Sequence, residues 1–202
     1  MTDAAFWDKI APKYAKDPIG DMAAYTATLN RMKAILQPHH RVLEIGCGTG
    51  STAIELAPGV DHYIGTDVSA GMIDIACSKG ARIANLRFTT QDATDIATAS
   101  HDVVLALNLL HLVRDLPGTL KAIHAALPER GLFIAKTALL KDGAWFLGPI
   151  VPLMQMIGKA PYVSRLNAQG YTTLLRDAGF SVTEEILQPG IAPRLFTVAQ
   201  KI

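Results

Sequence analysis

Three glycines at alternate positions, Gly46, Gly48 and Gly50, follow the apolar run Val42-Leu43-Glu44-Ile45. A carboxylate, Asp67, closes the next apolar run, Tyr63-Ile64-Gly65-Thr66. Glycine is needed where a backbone takes positive φ or must approach a ligand with no Cβ in between. A carboxylate brings two oxygens to two donors, and charge-assisted bonds are about twice as strong as neutral ones. Strand, glycine turn, helix, strand, acid is the ground plan of a site for a nucleoside-containing cofactor. The other reactive side chains form no such pattern. No pair among His39, His40, His62, His101, His111 and His124 has metal-ligand spacing with a third ligand nearby, so no metal is expected. Cys47 sits in the glycine turn, where a small apolar filler fits better than a nucleophile. Cys47 and Cys77 are the only cysteines, and a reducing cytoplasm without a disulfide is expected.

Alternating strands and helices must position this turn. Apolar runs predict strands near 41–46, 62–66, 86–90, 102–107 and 131–137. Helices are predicted near 50–57, 69–79 and 115–127, with Ser69 as an N-cap. Before them, Phe6, Ile10, Tyr14, Met22, Tyr25, Leu29, Met32 and Leu36 recur at helical spacing up to Pro38. After them, Asn167 can cap a helix through Leu175 that closes at Gly179. Two strands follow, 180–187 and 194–199. Their short connection joins only antiparallel neighbours, so a parallel sheet ends in a hairpin.

The pattern Glu44-x-Gly46-x-Gly48-x-Gly50 lacks the third glycine of a dinucleotide fingerprint and resembles the first motif of class I S-adenosylmethionine-dependent methyltransferases. The resemblance continues through Ile64-Gly65-Thr66-Asp67-Val68-Ser69-x-x-Met72, Phe88-x-x-Gln91-Asp92-Ala93, the run from His101 to His111, and Leu127 to Ala135. One turn departs from it: the usual Pro-Gly-Gly is Pro128-Glu129-Arg130-Gly131 here. Phe6-Trp7-Asp8-x-Ile10-Ala11-x-x-Tyr14 is similar to the opening of the ubiquinone/menaquinone-biosynthesis-like (methyltransferase type 11) branch.

The resemblance implies a Rossmann-like, doubly wound α/β fold with a seven-stranded sheet in the order 3-2-1-4-5-7-6, strand 7 alone antiparallel. A single domain would divide into an N-terminal helical lid (1–38), a cofactor-binding core (39–140), an apolar insert (141–166) and a C-terminal helix and hairpin (167–202). The cofactor would be S-adenosylmethionine. Gly46, Cys47, Gly48 and Gly50 would bring backbone to its amino-acid and ribose portions, and Asp67, with Val68 beside it, would take both ribose hydroxyls. Asp92 and the Ala93 backbone would meet the adenine edge, Met72 its face, and Asn108 the methionine end. Glu44 would orient the glycine turn or touch the cofactor directly. Tyr14 resembles a lid residue. His111, just past the fourth strand, is the one histidine expected beside the cofactor and the candidate base.

The chain has 202 residues, enough for one domain with a sizeable core, and its net charge of +1 gives no electrostatic case for nucleic acid. No signal peptide is expected, because residues 1–8 lack a basic start and an apolar run. The longest uncharged stretch, 143–158, falls short of the ~20 residues that span a bilayer. That apolar connection, 143–162, must be covered by something: an acceptor pocket it roofs, a membrane surface, or a second subunit. A small or lipid-like acceptor follows. Two rival functions are also compatible with the sequence: a nicotinamide-dependent oxidoreductase, and a non-catalytic S-adenosylmethionine-binding subunit.

Overall fold

The computed structural model describes residues 3–143, 154–156 and 160–202. Its centre is built from two strands that are apolar except for Arg41 and Glu44. β1 (Arg41–Ile45) is buried at every position after Arg41, and β4 (Val103–Leu107) at every position but its last. Such continuous burial suits parallel strands covered on both faces. With β2 (His62–Asp67), β3 (Leu86–Thr90), β5 (Leu132–Ala138), β6 (Phe180–Gln188) and β7 (Arg194–Lys201) they form a seven-stranded sheet. Its order is β3-β2-β1-β4-β5-β7-β6. The first five strands pair in parallel, and β7 runs antiparallel to both β5 and β6. Order and direction agree with the resemblance, and the terminal hairpin with its short connection.

Alternating side chains sort the core into two layers. Leu43 and Ile45 face a cluster closed by α5 (Leu116–Ala126) and α6 (Ala168–Asp177), through Leu120, Ile123, Tyr171 and Leu175. Val42 faces the other cluster, closed by α2 (Met22–Ile35) and α3 (Ser51–Leu56) through Leu29, Met32 and Leu56. α4 (Ala70–Gly80) lies against β2 and β3 beside α3, and α1 (Asp3–Tyr14) packs on the outside of α4.

The helix ends follow local chemistry. The Ser69 hydroxyl accepts from the Met72 N–H at 3.1 Å, and the Asn167 side chain from the Gly170 N–H at 3.0 Å, as their positions predict. Asp115 caps α5 through the Gly118 N–H at 2.9 Å. α2 stops at Ile35, short of Pro38, because Leu36 turns extended. The helix after the glycine turn ends at Leu56 and tightens into a 3₁₀ turn, Ala57–Gly59, where Pro58 sits at the start. In the departing turn before β5, Arg130 takes φ 65°, the conformation a glycine would occupy without strain. The apolar segment 143–162, including Phe146 and Leu153, lies largely outside the described residues.

Candidate functional site

Strand order reverses between β1 and β4, and a cavity of about 690 Å³ opens at the carboxyl ends of the strands there. That volume falls in the ordinary range for cofactor sites, roughly 300–1,000 Å³. Its floor is the turn after β1. Gly48 has φ 54°, and a Cβ placed on it would point at the Tyr14 ring, whose Cε1 lies 3.9 Å away. Gly46, at φ 66°, has no such space: a Cβ there would stand 2.7 Å from Leu109 Cδ1.

Asp67 ends β2 beside this turn. Its Oδ2 accepts from the Gly48 N–H and its Oδ1 from the Ser69 N–H, each at 2.9 Å. Burial raises its pKa above the usual carboxylate range, and the N–H groups of Ser69, Gly48 and Val68 pull it back. Each oxygen keeps acceptor capacity beyond those two bonds. Glu44, 2% exposed, lies in the same wall and accepts from the Tyr63 hydroxyl at 2.8 Å. Burial lifts its carboxyl to about 7, against the Tyr63 hydrogen bond and with help from the Asp67 charge.

Most of the expected site residues meet here. Glu44, Gly46, Cys47, Gly48, Asp67, Val68, Met72, Asp92, Ala93, Asn108 and Tyr14 all line the cavity. Met72 is 2% exposed, so it offers an edge of a core side chain. Asp92 is exposed, and its Oδ1 accepts from the Thr94 N–H at 2.9 Å and hydroxyl at 2.6 Å. Asn108 takes φ 56°, a left-handed conformation that asparagine tolerates, and its N–H donates to the Lys136 carbonyl at 2.6 Å. Burial pushes the Cys47 thiol far up, which makes it inert as a nucleophile. Both cysteines are free.

Two expected residues stand outside the lining. Gly50 takes φ 75° and packs: a Cβ there would fall 2.6 Å from Phe88 Cζ and 3.0 Å from Ala76 Cβ. It does the helix-on-sheet job that the spacing had left without a small residue. His111 lies on a 3₁₀ turn, Leu110–Leu112, and its neighbours Leu109 and Leu112 reach the cavity while it does not. Its Nδ1 is buried without a hydrogen-bond partner among the described residues. Burial, with the Arg194 charge, lowers its pKa to about 4.

Sequence reasoning missed part of the wall. Trp7, the loop residues Asp17, Pro18, Ile19 and Gly20, and Tyr25 on α2 also line the cavity. Tyr25 sat at helical spacing, Trp7 stood only within the opening motif with no role given to it, and the loop had no signal beyond its Pro-x-Gly. No group of His, Cys, Asp or Glu among the described residues could hold a metal, and no described helix is long and apolar enough to cross a membrane.

Comparison with known proteins bears on this geometry. A family model described as a methyltransferase domain matches residues 18–185, most of the chain. The chain belongs to that family, and with this fold it is a class I S-adenosylmethionine-dependent methyltransferase. A nicotinamide-dependent oxidoreductase is thereby set aside. Among curated relatives, a highly reducing polyketide synthase of Gibberella fujikuroi, GPY1, is 37% identical over 111 residues, which are 48% of this chain and 4% of that protein. The chain spans less than a tenth of the length of the curated relatives it matches. Among solved structures, the N-methyltransferase NodS of Bradyrhizobium japonicum, with S-adenosyl-L-homocysteine bound, aligns at TM-score 0.76 and 16% identity, covering 100% of this chain and 99% of that one. The [4+2]-cyclase SpnF aligns at TM-score 0.76 and 17% identity, covering 98% and 94%. These structural likenesses concern the fold.

The residues present fit the cofactor. A carboxylate with acceptor capacity left stands beside a glycine whose missing Cβ leaves room, inside a cavity of adequate size.

Proposed function

We propose that the chain transfers a methyl group to a small or lipophilic acceptor by direct displacement. Bound S-adenosylmethionine would supply a methyl on an already activated leaving group. The protein's part is then alignment and the exclusion of water. The observation that carries this reading is Asp67, held at both oxygens by backbone N–H groups and lining the cavity beside Gly48. Asp67 would accept both ribose hydroxyls. Gly46, Cys47 and Gly48 would bring backbone close. Met72 and Val68 would pack on the adenine, Asp92 and Ala93 would meet its edge, and Asn108 the methionine end. Gly50 would serve by seating the turn, and Tyr14 would close over it from α1 as part of a lid formed by residues 1–38.

The acceptor side draws on different support. Arg114 lines the cavity, and its guanidinium lies 4.6 Å from the Tyr162 ring centroid. The Ser164 N–H donates to the His111 carbonyl at 2.6 Å. The exit of the 143–162 segment is therefore stitched beside the cavity, which favours a roof over the acceptor above a membrane or dimer contact. The curated relatives named as highly reducing polyketide synthases favour a lipophilic, acyl-type acceptor. Two free cysteines suit a reducing cytoplasm.

Calorimetry tests the first half: the protein should bind S-adenosylmethionine and S-adenosylhomocysteine and not NAD. Tight NAD binding would sink the reading. Mass spectrometry of products from a panel of quinol, lipid and acyl-thioester acceptors tests the second. Polar replacement of Phe146 and Leu153 should cut turnover and leave cofactor affinity nearly intact.

A further inference from the structure

The opening motif that contains Trp7, Asp8 and Tyr14 carries an acid to which the cofactor reading gives no task. Asp8 lies in the middle of α1, and its carboxylate reaches across to the start of α4. Its Oδ1 accepts from the Ser69 hydroxyl at 2.6 Å and from the Gly71 N–H at 3.0 Å. The two bonds hold the Asp8 pKa below the usual carboxylate range. Ser69 is fully buried, caps α4 through the Met72 N–H, and donates its own N–H to Asp67. One residue thus ties α1 to the turn that fixes Asp67.

α1 packs on α4, with its Phe6, Trp7 and Ile10 half-buried. Pro12 lies inside it and cannot donate to the Asp8 carbonyl one turn back. Ala11, at 1% exposure, is its buried anchor, and residues 12–20 are all exposed. The start of α4 lies close under α1: a Cβ on Gly71 would meet Ala11 Cβ and Asp8 Oδ1 at 3.5 Å, an ordinary contact distance. The cavity depends on this helix. Trp7 and Tyr14, with ring centroids 6.5 Å apart, form its outer wall, and Tyr14 stands over Gly48.

We propose that Asp8 is a positioning residue: by clamping α1 to Ser69 and Gly71 it sets the Tyr14 ring over the glycine turn and so completes the cofactor wall. The clamp rests on the cofactor reading above. It makes cofactor affinity depend on a side chain that lines no part of the cavity.

The test is calorimetry with S-adenosylhomocysteine on full-length wild type, Asp8→Ala, Asp8→Asn, Tyr14→Ala and the Asp8→Ala/Tyr14→Ala double variant, with the melting temperature of each ligand-free protein. Asp8→Ala should weaken binding about tenfold while the ligand-free melting temperature stays near that of the wild type. Asparagine keeps an Oδ1 acceptor for both donors, so Asp8→Asn should bind within threefold of wild type. The losses of the two single variants should fail to multiply in the double, because an unclamped helix no longer holds the ring in place. Hydrogen exchange over residues 3–20 should slow on ligand binding in wild type and not in Asp8→Ala. Unchanged affinity in Asp8→Ala, losses that multiply, or a melting temperature that falls together with affinity would each overturn the clamp. A wild type that binds no S-adenosylhomocysteine would overturn the cofactor reading itself, and the clamp with it.

Discussion

On the sheet side of the cavity, the Asp67 carboxylate is held by two backbone N–H groups at 2.9 Å, within a turn braced by Phe88 and Leu109. On the helical side, Tyr14 is 52% exposed and ends a helix whose last residues face solvent. The first wall is fixed by main-chain geometry, which a ligand cannot rearrange without breaking strand pairing. The second is fixed by side chains that compete with water, so its closure is a matter of population. The larger share of binding strength should therefore reside in the sheet wall, and the helical wall should add a smaller share by closing over the ligand.

The largest effect should come from filling the floor of the sheet wall. Gly48→Val puts a β-branched side chain at φ 54° and into the space the ligand needs. Binding of S-adenosylhomocysteine should vanish from calorimetry with circular dichroism unchanged. If affinity survives, the ligand does not pass over Gly48, and the contrast between the walls collapses.

Next comes Glu44, which tests how dry the sheet wall is. Its carboxyl is raised from an ordinary 4.5 to about 7, so the folded protein binds the proton more tightly than the unfolded chain. Stability must then fall as pH rises from about 4.5 to about 7 and level off above. The shift corresponds to about 3 kcal/mol at ~1.4 kcal/mol per pKa unit. Glu44→Gln removes the titration. Across pH 4 to 8 the difference in denaturant-unfolding free energy between wild type and variant should slope in that direction by a few kcal/mol. A flat difference would mean that water reaches the carboxyl and the wall is open.

Two acids sharpen the comparison between fixed and exposed positions. Asp67→Ala should cost about 1.5–3 kcal/mol of cofactor affinity, the worth of hydrogen bonds to a charged group. Asp92 is exposed, and its Oδ1 is already engaged by Thr94. Asp92→Ala should cost threefold or less. Equal losses, read by the same titration, would show that exposure does not set the rank.

Much of this was legible from residue types, and the part that was not has a physical cause. The connection too short for a crossover announced the antiparallel hairpin, and the order of the seven strands came with the family resemblance that the glycine spacing and the acid after β2 carry. Ser69 and Asn167 announced their helix ends because a cap is a local device. That Gly50 packs against Phe88, 2.6 Å from its would-be Cβ, was not legible because the contact comes from 38 positions away. The Asp8 bridge joins residues 61 apart, and Tyr25 on the cavity wall has the same helical spacing as a core residue. Long-range side-chain contacts of that kind leave no periodic trace in the chain.

The smallest effect is expected at His111. A catalytic base is most useful near the working pH, and this imidazole, lowered to about 4 by burial and Arg194, is uncharged there and a weak proton acceptor. It also stands behind Leu109 and Leu112 rather than in the cavity. If alignment by the two walls does most of the work, His111→Gln should lower turnover by less than threefold and leave cofactor affinity unchanged. A general base typically contributes ~10²–10⁴ in rate, so a loss of that size would be unmistakable. It would show that the acceptor draws His111 into contact and that neither wall as described completes the site. The measurement is initial rate against pH with saturating cofactor. For the wild type it should show no inflection near 4 that is missing from the variant.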